Sequence, residues 1–297
     1  MPELRTRTRL AGLPAPALFV LSGISMYLGA ALAVGLFDHA TPSGVAWMRC
    51  LGAALVLLAW RRPPKRAWRG KALLLAGTFG VVTAGMNVVF YEAIARLPLG
   101  TAVALEFVGP VAVAAIGSRG KRDLLALLSV AFGVLLIADV QLAGSPLGVL
   151  FALLAAMAWA GYILLGKRVA LADTGVSGFD SLAVGFVVAS VLLSPLAIGT
   201  GPVWGSAWLL LLGVGVGVLS TVVPYTLDQI VLGKVGRARF ALLLALLPAT
   251  AAIVGFLALG QVPTTAEMIG ILAVVFGVAL RSGEGPRRGA RSPEEPP

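Results

Sequence analysis

Two ionisable residues of opposite charge lie inside long apolar stretches of this sequence. Arg49 falls within residues 43–60 and Glu106 within residues 99–117. A charged side chain in the middle of a bilayer costs about 2.5–3.5 kcal/mol on insertion scales, so each of the two requires an explanation. A cation and an anion held at one depth would suit the two ends of a zwitterion, its carboxylate and its ammonium group.

The positions of Arg49 and Glu106 predict that they lie at the same depth. Each is about eight residues from the outer end of its stretch, which corresponds to about 12 Å along a helix. The two side chains can meet if their helices are neighbours. For Arg49, two alternatives stay open: a side chain that reaches the outer headgroups, or a purely structural pair with Glu106.

A proline four residues after Glu106 adds a second polar group at the same place. Pro110 has no N–H, so the Glu106 carbonyl loses its helical hydrogen-bond partner. A freed carbonyl beside a carboxylate is typical of the broken helices that form the binding sites of transporters. Pro224, Pro248 and Pro195 free other carbonyls in the same way, and simple kinks are the alternative for these three. The carbonyls concerned are those of Ser220, Leu244 and Val191.

Further polar and aromatic residues are candidates for the lining of such a site. Asn87 and Tyr91 are four residues apart and therefore share one face of a helix, and Trp159 and Tyr162 are three residues apart on another. For the aromatic pair, ordinary core packing is the alternative. Glu92 is interpreted as a vestibule charge or a ligand, and Asp228 and Gln229 as groups at the rim of their span.

The composition shows which kind of protein must position these residues. Of 297 residues, 59% are hydrophobic and only 12% are charged, whereas soluble domains average about 25% charged residues. An ordinary soluble enzyme and a disordered chain are excluded, because neither can accommodate this apolar surplus. Cys50 is the only cysteine, so a disulfide scaffold is excluded as well. The composition predicts an all-α membrane protein.

Ten stretches are long and apolar enough for transmembrane helices, which need about 20 residues each. They cover residues 14–36, 43–60, 71–95, 99–117, 124–140, 147–166, 179–199, 206–231, 240–259 and 268–280, the last of which can begin near Thr264. Residues 1–13 and 282–297 are expected to form cytoplasmic tails, the second of them disordered.

The basic residues fix the predicted orientation. With the N-terminus in the cytoplasm, 21 of the 23 lysines and arginines fall on the cytoplasmic side, Arg96 alone falls outside, and Arg49 lies within a span. This asymmetry predicts ten spans with both ends inside. The net charge of +10 therefore reports topology, and no nucleic-acid partner is expected.

The fifth and tenth spans resemble each other. Residues 129–136 and 273–280 are identical at five of eight positions, with an offset of 144 residues that also places Asp123 opposite Glu267. Five spans are an odd number, so a second copy must be inverted relative to the first. We therefore predict two inverted five-helix repeats, residues 14–140 and 141–281, an architecture typical of secondary transporters.

Several motifs in this sequence resemble the EamA branch of the drug/metabolite transporter superfamily, in particular its bacterial threonine and homoserine exporters. The most specific is Leu-Glu-Phe-x-Gly-Pro at residues 105–110. The stretch 91–110 around it, Trp-Ala-x-Tyr-Ile-Leu-x-Gly-x-Arg at 159–168 and Ser-Thr-x-x-Pro-Tyr at 220–225 are similar as well. The resemblance extends from about residue 14 to residue 282.

This resemblance implies a ten-helix inner-membrane carrier that exports small amino acids or related metabolites. Members of the family carry a lysine in the first span where this chain has Val34, and a glutamate before the ninth-span proline where it has Leu247. Both differences remove charge from the membrane interior, so proton coupling is left open. A homodimer is also left open, and no cofactor or metal is expected.

Other classes of membrane protein fit the sequence less well. An embedded enzyme would need a nucleophile–base pair or a cluster of metal ligands, and a nucleotide-driven pump would need a phosphate-binding loop. One loop histidine, one cysteine and no paired aspartates inside the spans argue against the enzyme. A channel or a lipid or metabolite flippase of the same superfamily remains the alternative to a carrier.

Overall fold

A computed structural model describes residues 13–116, 120–142, 145–170 and 175–282 of the protein, and these residues are helical throughout, without strands. Of the two predicted tails, only residues 13 and 282 fall among the described residues. The first four helices are α1 (Ala15–Leu36), α2 (Pro42–Arg61), α3 (Gly70–Ile94) and α4 (Leu99–Glu106). They are followed by α5 (Val108–Ile116), α6 (Lys121–Leu142), α7 (Pro146–Ala170) and α8 (Gly178–Leu192). The last four are α9 (Ala207–Gly217), α10 (Val223–Leu244), α11 (Leu246–Leu259) and α12 (Thr265–Ser282).

Five helical segments in the described part of the chain are long and apolar enough to cross a membrane. They are Ala15–Leu36, Pro42–Arg61, Gly70–Ile94, Pro146–Leu164 and Ala207–Asp228, and a sixth candidate is the bent pair Gly178–Leu192 and Ser194–Gly205. Four shorter apolar helices are Leu99–Val113, Leu124–Ile137, Leu246–Leu259 and Thr265–Leu280. Each of the ten predicted stretches overlaps one of these segments. The fold therefore confirms an all-helical protein with several helices of membrane length.

Two predicted boundaries were wrong. The seventh stretch was predicted to end at residue 199, with a kink at Pro195 as one alternative, and the chain bends there by 82° between α8 and a 3₁₀ helix, Ser194–Gly205. Pro195 explains the bend. It has no N–H to donate to the preceding turn, and its ring disfavours the α-helical conformation in the residue before it. The predicted loop at 232–239 is instead part of α10. No proline occurs between Pro224 and Pro248, so nothing in the backbone interrupts the helix there.

The fourth and ninth spans are both broken three residues before a proline. In the fourth, α4 ends at Glu106 and α5 begins at Val108, before Pro110. In the ninth, α10 ends at Leu244 and α11 begins at Leu246, so that Ala245 separates them three residues before Pro248. The proline ring clashes with the carbonyl four residues back, so the helix opens at that turn.

The tenth span begins early because of a capping box. The Thr264 hydroxyl accepts from the Glu267 N–H at 3.2 Å, and the Glu267 carboxylate accepts from the Thr264 N–H at 2.8 Å. Together these bonds satisfy two backbone donors at the start of α12. Glu267 also accepts from the Thr101 hydroxyl at 2.9 Å, which ties α12 to α4.

Helices from the first half of the chain pack mainly against helices from the second half. The helix α1 contacts α9, α10 and α11, and α7 contacts α3, α4 and α5 in the same way. In addition, α2 packs against α8 and α9, α3 against α8, and α4 against α11. The core of the bundle therefore lies between the two halves.

The pair α6 and α12 shows this relation at the level of single residues. The Ser129 hydroxyl donates to the Ala273 carbonyl at 2.9 Å, and these two residues are 144 positions apart. A β-carbon at Gly133 would lie 2.5 Å from the Gly270 carbonyl oxygen, so glycine permits the close approach of the two helices. The outer faces of both helices are apolar and exposed, which suits contact with lipid.

Candidate substrate site

The site is built around an interruption in the eighth span. Between α9 and α10, residues Val218–Val222 form one π-helical turn, and the Val223 N–H bonds to the Val218 carbonyl, five residues back. The Leu219 carbonyl therefore has no helical donor, and it accepts from the Ser25 hydroxyl of α1 at 2.9 Å. Turns of this type occur frequently at functional sites.

Pro224 frees a second carbonyl in the same turn, as the sequence predicted. The Ser220 carbonyl has no N–H partner at position 224, and it accepts from Nη2 of Arg49 at 2.9 Å. Nε of Arg49 also donates to the Thr221 hydroxyl at 3.1 Å. The freed carbonyl is thus occupied by a side chain from α2.

Arg49 lies in the interior of the bundle and not at a headgroup surface. It is buried, with 8% of its surface exposed, and its guanidinium carbon lies 5.7 Å from the centre of the Tyr91 ring. A guanidinium group has five N–H donors, and the bonds to Ser220 and Thr221 use two of them. Arg49 can therefore hold a carboxylate without giving up all of its protein contacts.

Glu106 is also buried, but its carboxylate makes no hydrogen bond or ion pair with any described residue. It interacts electrostatically with Arg49 and with the Tyr27 hydroxyl of α1, beyond hydrogen-bonding distance. Arg49 and Glu106 are thus brought into one region without forming an ion pair. The carboxylate is left available for a cation.

Two tyrosine hydroxyls near Arg49 and Glu106 share this property. Tyr91 is fully buried, and its hydroxyl, beside Arg49 and Ser220, has no hydrogen-bond partner of good geometry in the described structure. Tyr27 is 3% exposed and makes no hydrogen bond to a described residue either. An unsatisfied buried polar group costs about 1–3 kcal/mol, so a native structure that keeps one requires a reason. A ligand bound at this point would satisfy such a group.

The other predicted site residues have protein partners. The Asn87 amide donates to the Thr83 carbonyl of its own helix at 2.9 Å. The Trp159 ring packs edge-on against the Phe107 ring, with 4.9 Å between the ring centres. Phe107 is the residue at the break after Glu106. Trp159 therefore packs against the broken helix, whereas Asn87 is oriented along α3.

Tyr162 belongs to a separate polar group that sequence reasoning did not assemble. Its hydroxyl lies 3.4 Å from that of Tyr225, and both interact electrostatically with Asp228. Asp228 was predicted at the rim, but it is half-buried and accepts from the Ser22 hydroxyl at 2.7 Å. The spacing of Tyr225 and Asp228, three residues apart on one helix face, was the available signal.

Glu92, which was left open between a vestibule charge and a ligand, has a structural role. It accepts from the Ser43 N–H at the start of α2 at 3.2 Å and pairs with Arg96 at 2.6 Å. A carboxylate at a helix N-terminus stabilises the unpaired N–H groups there. Leu247, at the second break, is buried against Gly23 of α1, so this break has no charge.

Comparisons with known proteins agree with the resemblance seen in the sequence. The profile of the EamA-like transporter family matches residues 146–283. The chain is 37% identical over 255 residues to the threonine/homoserine exporter RhtA of Salmonella typhimurium strain SL1344, a match that covers 83% of this chain and 84% of the relative. It is 36% identical over 241 residues to RhtA of Escherichia coli strain K12, covering 78% and 79% of the two chains.

A solved structure shares the fold. A protein of known crystal structure superposes with a TM-score of 0.59 at 19% identity, over 89% of this chain and 95% of the other. The agreement covers both halves of the chain, although the family profile matches only the second. The arrangement of helices around the site is therefore shared with a protein of distant sequence.

Proposed function

Because the chain belongs to the EamA-like transporter family, we propose that it is an inner-membrane secondary transporter that exports small amino acids, such as threonine and homoserine, by alternating access. The identity to two named threonine/homoserine exporters supports the substrate class. The observation that carries the proposal is the group of Arg49, Glu106 and Tyr91 inside the bundle, in which the Glu106 carboxylate and the Tyr91 hydroxyl have no hydrogen bond of good geometry to a described residue.

The proposed topology has ten spans in two inverted repeats, residues 14–140 and 141–281, with both termini in the cytoplasm. The first helix of each half packs against helices of the other half, α1 against α9, α10 and α11 and α7 against α3, α4 and α5. This equivalence supports the repeat. Polar contacts join residues of the same predicted side. Ser43 contacts Glu92 and Leu99 contacts Gln261 on the predicted outer side, and Arg61 contacts Asp180 on the predicted cytoplasmic side. Together with the charge asymmetry, this arrangement supports the orientation.

The proposed binding mode gives each end of the substrate a separate partner. Glu106 accepts the ammonium group, and Arg49 binds the carboxylate through donors that do not contact Ser220 or Thr221. The Tyr91 hydroxyl, which has no protein partner, pairs with the hydroxyl of the substrate side chain. Asn87, Trp159 and Tyr162 complete the lining. A site that satisfies both charges of a zwitterion compensates for its desolvation.

The two helix breaks are the proposed hinges of alternating access. The breaks at Phe107 and Ala245 interrupt the fourth and ninth spans, which pack against each other through α4 and α11. Hinges of this kind are a few residues that absorb the change in backbone angles while the helices on either side move as rigid bodies. Movement at these points would open the site to one side and close it to the other.

Counterflow in proteoliposomes tests the proposed function. Vesicles that contain the purified protein and unlabelled threonine inside should accumulate labelled threonine from outside, with saturation, whereas empty vesicles should not. A carrier exchanges substrate in this way because its site alternates between the two sides. Flux that is linear in threonine concentration and shows no counterflow would instead support a channel, and no threonine flux would contradict the substrate assignment.

A further inference from the structure

A second carboxylate lies inside the bundle on the cytoplasmic side of the site. Asp228 follows Ser220 by eight residues on the same span, which corresponds to about 12 Å along the helix. Ser22 donates to Oδ1 of Asp228 at 2.7 Å, and Oδ2 makes no hydrogen bond to a described residue. One carboxylate oxygen is therefore held in place and the other is available.

One tyrosine hydroxyl lies within electrostatic range of both this carboxylate and Glu106. Tyr27, on α1, is 3% exposed, and its hydroxyl interacts electrostatically with both Glu106 and Asp228. It makes no hydrogen bond to any described residue. Tyr162 and Tyr225, whose hydroxyls lie 3.4 Å apart, also interact electrostatically with Asp228, and Arg49 interacts with Tyr225. Three tyrosine hydroxyls therefore lie within electrostatic range of Asp228, in addition to the Ser22 hydroxyl that is bonded to it.

We propose that Asp228 and Tyr27 form a second subsite for the substrate's ammonium group, on the cytoplasmic side of Glu106. This inference rests on the proposed function, because it follows the same ammonium group. An ammonium group donates three hydrogen bonds, which Oδ2 of Asp228 and the hydroxyls of Tyr27 and Tyr225 accept. The substrate binds first at Asp228 and then moves outward to Glu106, with Tyr27 in contact with it throughout.

Equilibrium binding to variants that lack the main carboxylate tests the subsite. The measurement is binding of radiolabelled threonine to the purified full-length protein in detergent. Glu106→Gln should abolish export but keep measurable binding, about tenfold weaker than the parent. Adding Asp228→Asn should remove this residual binding, because asparagine keeps the acceptor for Ser22 but loses the charge. The matched control is Asp180→Asn in the same background, which removes a carboxylate that pairs with Arg61 and should leave the residual binding unchanged.

Two further measurements keep the test independent of folding defects and identify the ligand. Tyr27→Phe removes only the hydroxyl, so it should slow export about fivefold and weaken the residual binding of the Glu106→Gln protein without abolishing it; unchanged residual binding would exclude Tyr27 from the subsite. Ethanolamine, an amine without a carboxylate, should displace that residual threonine, whereas sodium at the same concentration should not.

The outcomes separate this inference from the proposed function. If the parent protein binds and exports threonine but Asp228→Asn leaves the residual binding intact, the subsite is wrong and the function stands. Displacement by sodium as strong as that by ethanolamine would overturn the assignment to an ammonium group. If the parent neither binds nor exports threonine, the proposed function itself fails.

Discussion

The two broken helices of this protein use the same backbone feature but differ in charge. Both breaks occur three residues before a proline, at Phe107 and at Ala245. The first presents a buried carboxylate, Glu106, whereas the second is apolar and places Leu247 against α1. The two proposed hinges therefore share a backbone feature, and only the first carries a carboxylate that can bind a cation.

The second half contributes in another way. Its eighth span provides the freed carbonyl of Ser220 and the Thr221 hydroxyl, and both hold Arg49. The cationic side of the proposed site is thus anchored by the second half, and the anionic side belongs to the first. In the proposed mechanism, substrate binding would therefore depend on the relative position of the two halves, which alternating access would change.

Arg49→Lys should cause the largest loss among the changes that test this division. Lysine keeps the positive charge but cannot hold Ser220, Thr221 and a substrate carboxylate with one planar group. Losing one or two charge-assisted hydrogen bonds at about 1.5–3 kcal/mol each predicts an export rate lower by at least about tenfold, and by at least about a hundredfold if both are lost. Export per inserted molecule is the measurement, and Arg61→Lys at the predicted cytoplasmic end of α2 is the control. Full activity of Arg49→Lys would show that the guanidinium geometry is not used.

Tyr91→Phe should alter selectivity more than rate. The change removes a hydroxyl that has no protein partner, so the fold should be unaffected. Threonine and valine have nearly the same shape, and a neutral hydrogen bond of about 0.5–1.5 kcal/mol predicts a threefold to tenfold drop in the preference for threonine. Competition of valine with threonine in export measures it. An unchanged preference would place the substrate hydroxyl elsewhere.

Pro224→Ala should weaken the hydrogen bond by which Arg49 is attached to the second half of the chain. Alanine supplies an N–H that competes with Arg49 for the Ser220 carbonyl, so the π-turn relaxes toward a regular helix. We expect export to fall about threefold, a smaller loss than for Arg49→Lys because the Thr221 contact remains. Pro202→Ala, in the exposed 3₁₀ helix, is the matched control. A rate at least equal to the parent's would mean that this anchor does not limit transport.

Leu247→Glu gives the second break the carboxylate that the first break has. The side chain is buried beside Gly23 of α1, so a charge there is costly and its protonation should become linked to transport. Export should depend more steeply on pH between about pH 6 and 8 than in the parent, with a modest change in rate at neutral pH. Leu247→Gln, which does not titrate, should leave the profile flat. A flat profile for Leu247→Glu would show that position 247 is not a coupling site.

The sequence was sufficient for some of this arrangement because the relevant signals are local. Apolar length predicted the helices, and the spacing of Glu106 and Pro110 predicted a broken helix with a carboxylate beside it. The start of the tenth stretch near Thr264 was also given as an alternative, and the capping box of Thr264 and Glu267, four residues long, accounts for it.

Other features depend on contacts between distant parts of the chain. The partners of Arg49 are more than 170 residues away and depend on a π-turn whose register no local pattern reveals. Asp228 looked like a rim residue because Ser22, its hydrogen-bond donor, lies 206 residues earlier. The helix through residues 232–239 was missed because basic residues suggested a loop, although they are good helix formers.

The most direct test of the account is Glu106→Gln, compared with Glu92→Gln. Both changes replace a carboxylate by an amide of the same shape, but Glu92 pairs with Arg96 outside the proposed site. The measurement is threonine export per correctly inserted molecule. The account predicts that Glu106→Gln exports at least about a hundredfold more slowly at normal membrane abundance, because a charge-assisted bond contributes about 1.5–3 kcal/mol, and more where the partner charge is left buried. Export by Glu92→Gln should stay within about twofold of the parent. Export by Glu106→Gln at the parental rate would contradict it, and the ammonium site would then lie elsewhere.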